Sequence, residues 1–96
     1  MRSYINVKGF KIIETTGDEI KTIGGYGICD SCCRPSSNGY LIPALGSYWY
    51  CEKCYEEWIK NAVIYDEDKE FEARVFDKWV TALKEQGIMD DNERSK

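Results

Sequence analysis

Four of the chain's five cysteines fall into two Cys-x-x-Cys pairs, Cys29 with Cys32 and Cys51 with Cys54, with 18 residues between the pairs. No other feature restricts the fold as strongly. A Cys-x-x-Cys turn points two sulfurs to one side of a tight knuckle, and two such turns complete a tetrahedron around one ion with Zn–S bonds of about 2.3 Å. The ion also relieves the repulsion among four thiolates. With four protein ligands no coordination position stays open, so the expected group is one structural Zn2+ and not a catalytic one. Iron in the same cage and a thioredoxin-like redox role for Cys51 and Cys54 are the rival readings. The second matching pair and the short chain count against the redox role. Cys33 is either a spare thiol or, in a C-x3-C arrangement, a substitute for Cys32; the two-residue spacing is the commoner knuckle.

The segments around the cysteines set their order. Gly24-Gly25-Tyr26-Gly27 is a loop leading into the first pair. Arg34 to Gly39 is turn chemistry, with Pro35, two serines and Asn38-Gly39. Tyr40 to Pro43 and Ser47 to Cys51 flank Ala44-Leu45-Gly46 and predict a β-hairpin rich in aromatics. From Glu52 the period becomes helical: Cys54, Tyr55, Trp58, Ile59 and Ala62 share one stripe. A knuckle, then a hairpin, then a helix bearing the last two cysteines resembles a treble-clef zinc finger over residues 28–62. The spacing is similar to that of GATA-type fingers, with Tyr50 to Tyr55 standing where those fingers carry their helical cysteine pair, and LIM-type modules use similar pairs. The resemblance implies a zinc-organised scaffold. DNA contact in GATA-type fingers relies on basic residues along the hairpin and helix and on a basic tail. Here the hairpin segment from Tyr40 to Tyr50 is uncharged and the helix carries Glu52, Glu56 and Glu57.

On either side of the finger the pattern is simpler. Residues 3–14 are rich in β-branched and aromatic types, with Tyr4, Phe10 and Ile12 on one phase and Ile5, Val7 and Ile13 on the other. Gly9 reads as a bulge where the phase switches. Thr15 to Asp18 reads as a turn and Glu19 to Ile23 as a returning strand, giving a β-hairpin over 3–23. After a break near Tyr65-Asp66, Asp66 is expected to cap a second helix. Glu67, Asp68 and Glu70 lie at its positive end. Phe71, Val75, Trp79 and Ala82-Leu83 form its expected buried stripe, widened by Phe76 and Val80, and Gly87 stops it. The expected fold is therefore a single α+β domain: an N-terminal β-hairpin (1–27), a treble-clef zinc finger (28–65), a C-terminal helix (66–88) and a frayed tail (89–96).

Composition bounds the function. The chain has no histidine, which excludes Ser-His-Asp and Cys-His nucleophilic chemistry. The glycines at 24, 25 and 27 precede a knuckle rather than a helix carrying Lys and Ser/Thr, so they form no phosphate loop. No second convergent motif supports a carboxylate acid–base pair, and the chain is expected not to be an enzyme. Residues 1–54 hold six basic and five acidic residues, while 55–96 hold seven and twelve. Four thiolates around a divalent ion would add two more negative charges to the formal −4. Such a domain has little general attraction for nucleic acid or an anionic membrane surface. No apolar run approaches the roughly 20 residues of a membrane span. The N-terminal segment carries no signal-like apolar stretch, and a reducing, cytoplasmic setting is expected. The acidic run from Asp66 to Glu70 reads either as a solvated helix start or as a mimic of a phosphate backbone. Trp49, Tyr50, Tyr55 and Trp58 read either as a binding surface or as packing between the finger and the C-terminal helix. The leading expectation is a non-enzymatic zinc module whose partner is another protein, a profile that suits a small regulator or inhibitor of phage or mobile-element type. A GATA-like nucleic-acid-binding regulator is the alternative.

Overall fold

In the computed structural model, which describes residues 2–88, the chain runs β1 (Arg2–Ile5), β2 (Lys11–Thr16), α1 (Gly17–Lys21), β3 (Asn38–Leu41), β4 (Trp49–Tyr50), α2 (Glu52–Asn61) and α3 (Lys69–Glu85), with 3-10 turns at Pro43–Leu45 and Asp66–Asp68. The expected tail, 89–96, lies outside the described residues. The strands form one antiparallel sheet in the order β1-β2-β3-β4. The class is α+β.

The sheet is covered on both sides. Ile13, Leu41 and Trp49 lie side by side across β2, β3 and β4, and with Ile20, Val80 and Leu83 they build one core beneath α1 and α3. Ile12 belongs to a second core with Phe10, Ile42 and Tyr55, against which Trp58 and Ile59 of α2 pack. Burial on both faces explains the broken alternation of residues 3–14: both phases of β2 are apolar because both meet a layer. Gly9 is not a bulge. It sits in the β1–β2 turn with φ +92°, where the Asn6 side-chain oxygen accepts from the amides of Lys8 (2.9 Å) and Phe10 (3.0 Å).

The first hairpin therefore pairs β1 with β2 across residues 6–10, and the expected return strand at Glu19–Ile23 does not form. Thr16-Gly17-Asp18-Glu19 is instead a capping box. Thr16 Oγ1 accepts the Glu19 amide at 3.0 Å and Glu19 Oε1 accepts the Thr16 amide at 2.8 Å, which starts α1. Asn38-Gly39, expected as a turn, opens β3. There the Trp49 ring lies so close over Gly39 that any side chain would overlap it. This lets Trp49 Nε1 donate to Thr15 Oγ1 on β2 at 2.9 Å.

The β3–β4 hairpin and α2 form where the sequence places them. The C-terminal helix begins differently. Asp66 does not cap it; a 3-10 turn precedes it, and the Asp66 carboxylate pairs with Lys69 at 3.2 Å. Val80 and Leu83 are fully buried, but Phe71 is 43% exposed, and the buried residue of that turn is Glu72 at 3%. A stripe through Glu72, Phe76, Trp79 and Leu83 fits the helix better than one through Phe71. The end matches expectation: Gly87, at φ +73°, donates to the Lys84 carbonyl, and Ile88 donates to that of Leu83, closing a Schellman motif.

Candidate metal centre

Three local structures bring the cysteines together. The knuckle is closed at its base by the Ile28–Pro35 bridge and by the Cys29 amide donating to the Arg34 carbonyl at 2.9 Å. Within it the Cys33 amide donates to the Cys29 carbonyl, and the amides of Ser31 and Cys32 point at Cys29 Sγ at 3.4 and 3.5 Å. The turn requires a left-handed residue after the second cysteine, and Cys33 occupies it at φ +62°. Cys51 leaves β4 in extended conformation and is the N-cap position of α2, which places Cys54 in the first turn. The Asp30 amide donates to the Trp49 carbonyl at 2.9 Å and Asp30 Oδ2 accepts the Trp49 amide at 2.8 Å, locking the knuckle against β4.

The sulfurs of Cys29, Cys32, Cys51 and Cys54 all lie within 4.8 Å of one another, and those of Cys32 and Cys51 are 3.9 Å apart. A tetrahedron with bonds of about 2.3 Å has edges of about 3.8 Å, so the cluster accepts such an ion with small inward shifts. Soft thiolates select zinc or iron over magnesium or calcium. The four cysteines are free thiols positioned to hold a metal ion. Cys33 is exposed and stands outside the cluster.

Electrostatics in the cluster is uneven. Burial pushes the Cys29 thiol up, but the amides of Cys32, Cys51 and Ser31 outweigh it and bring the pKa down to about 6. Burial raises Cys54, and the neighbouring thiols of Cys51, Cys29 and Cys32 add to this, taking it to about 12. Amides that stabilise a thiolate before any metal arrives are the usual second layer of a sulfur site.

The aromatics near the second pair are interior packing, divided between the two cores. Trp49 meets the α3 side. Tyr55 and Trp58 pack α2 onto the opposite face of the sheet and not against the C-terminal helix, with Tyr55 stacked on Tyr40 at 4.4 Å and Trp58 tilted on Phe10 at 4.8 Å. The exposed rings are others, led by Tyr26 at 81%. Sequence reasoning passed over Asp30 and Glu72. Asp30 lies between two cysteines whose spacing alone carries the motif, and Glu72 follows closely on an acidic run that reads as solvated. No described helix is long and apolar enough to cross a membrane. No protein-family model, curated protein or solved structure matches this chain.

Proposed function

We propose that this chain is a non-catalytic zinc protein that acts by contacting another protein in a reducing, cytoplasmic setting, its four-cysteine site organising a treble-clef core. The observation that carries the metal reading is the convergence of Cys29, Cys32, Cys51 and Cys54 within 4.8 Å. A site filled by four thiolates offers no position for substrate or water, which argues against metal catalysis. The order of knuckle, β3–β4 hairpin and α2 with the last two sulfurs supports the treble-clef assignment.

Surface charge favours a protein partner over nucleic acid. The finger's α2 exposes Glu52, Glu56 and Glu57, and the Asp66–Glu70 run lies beyond it on the surface. Phosphate contacts need the opposite sign. The role we propose is that of a small regulator or inhibitor, a protein that acts by occupying a site on its partner.

The test has two arms. Elemental analysis of protein purified without added metal is expected to give one zinc per chain. The zinc-loaded chain, immobilised and exposed to lysate of its native host, is expected to retain a specific protein in a stoichiometric complex. Recovery of nucleic acid alone, with a gel shift that weakens steeply with salt, would overturn the reading in favour of a GATA-like regulator.

A further inference from the structure

A cavity of about 150 Å³ opens between the β1–β2 turn, the Pro43–Leu45 turn, the end of α2 and the start of α3. Its walls are apolar and aromatic, with Phe10, Leu45 and Trp58, and Tyr65 at its rim. Two acidic residues are part of its lining, Asp68 and Glu72. Glu72 is the anomaly. It is 3% exposed, and among the described residues its hydrogen bond is the one from the Lys11 amide to Oε2 at 2.9 Å. Buried carboxylates are normally paired with a cation, yet among the described residues no lysine or arginine pairs with it. The ammonium groups nearby are engaged elsewhere: Lys8 Nζ donates to the Ala62 carbonyl, Lys69 pairs with Asp66, and Lys11 Nζ lies over the Phe76 ring.

We propose that this cavity receives the ammonium end of a lysine side chain from the protein partner. The inference rests on the protein-interaction reading and names the chemistry of the contact. Size selects the ligand. Cavities for drug-sized molecules run to about 300–1,000 Å³, whereas this one suits a short alkyl chain. Its lining selects the rest: aromatic faces attract a cation and accept the methylenes leading to it, and the carboxylates supply the counter-charge. The start of α3 opposes this with a partial positive charge of about half a unit. The carboxylates of Glu67, Asp68, Glu70 and Glu72 on the same turns exceed it. Those at the surface also draw a basic segment to the cavity mouth.

The experiment is a heteronuclear NMR titration of the zinc-loaded full chain with a Gly/Ser peptide carrying one lysine, alongside the same peptide acetylated on Nε and n-butylammonium chloride. The expected result is saturable shifting of the Trp58 indole N–H and the Ala62 and Ile64 methyls by the lysine peptide. Acetylation is expected to weaken binding at least tenfold. Glu72→Gln keeps an acceptor for the Lys11 amide, so the fold is expected to hold while affinity falls at least tenfold. Asp68→Asn, at an exposed position, gives a second reading that does not depend on the buried site, with a loss of severalfold. Equal binding of the acetylated peptide, unchanged affinity in both variants, or no shift at tens of millimolar peptide would overturn the proposal. Butylammonium binding more tightly than the peptide would overturn the choice of a protein-borne lysine. None of these failures touches the capture experiment, which reads whether a partner exists at all.

Discussion

Asp30 and Trp49 hold each other twice, backbone to backbone at 2.9 Å and carboxylate to amide at 2.8 Å. The pair joins the middle of the first cysteine turn to the strand that delivers Cys51. Positioning groups of this kind typically change metal affinity by 10–100-fold, and a hydrogen bond to a charged group contributes about 1.5–3 kcal/mol. Asp30→Ala is expected to lower zinc affinity at least tenfold in competition with a chromophoric chelator, with Asp30→Asn in between. Wild-type affinity in Asp30→Ala would show that the two cysteine pairs register without this link.

Gly39 is tied to Trp49 in another way. A methyl group there would enter the indole that reaches across β3 to Thr15. Displacing the ring costs that hydrogen bond and loosens its packing with Val80 and Leu83. Gly39→Ala is expected to destabilise the chain by about 2–4 kcal/mol in urea unfolding, with a red-shifted tryptophan emission. The effect should persist with zinc in excess, because the damage lies in the α3 core and not in the sulfur cluster.

The parts of the fold legible in sequence were those with a strong local code. Cys-x-x-Cys spacing, the 3.6-residue stripe after Glu52 and the Gly87 stop each act within a few residues, and the structure follows them. Residues 15–23 differ from expectation because the capping box of Thr16 and Glu19 outweighs the β preference of Ile20 and Ile23. Gly39 failed because Asn-Gly usually marks a turn, whereas here glycine is required by a ring ten residues ahead. The depth of Glu72 was invisible for the same reason: burial of a carboxylate is decided by distant elements, in this case β2 and the Pro43–Leu45 turn.

Metal removal should be felt well beyond the knuckle, since β4 contributes to both cores and α2 to the one on its own face of the sheet. Chelation is expected to remove hydrogen-exchange protection from at least residues 28–62 and to lower the melting temperature. An unchanged transition in a sample verified to be metal-free would contradict this.

Acid works in the same direction. Thiols must lose their protons to bind, so affinity falls as pH falls. The Cys29 thiol, brought down to about 6, is already ionised at neutral pH. Its depressed value favours the metal-free fold above the ordinary thiol range, and that contribution disappears as pH drops through about 6. Calorimetry of zinc binding in buffers of different ionisation enthalpy is expected to show fewer than four protons released at pH 7.5 and a larger number near pH 5.5. A pH-independent count would remove the amides of Ser31, Cys32 and Cys51 as the cause.

Cys33 separates the two readings of the knuckle. It holds a left-handed backbone that costs an ordinary residue about 1–2 kcal/mol, and its thiol stands outside the cluster. Glycine adopts that conformation without strain but is more flexible when unfolded, at a cost of about 0.4–1 kcal/mol. Cys33→Gly is therefore expected to keep one zinc per chain with unchanged affinity and to gain about 0.5–1 kcal/mol in stability. Cys32→Ser should lose metal affinity severely under the same conditions. If the two outcomes were exchanged, Cys33 would be the ligand in a C-x3-C turn, and the 3.9 Å approach of Cys32 to Cys51 would belong to the free thiols alone.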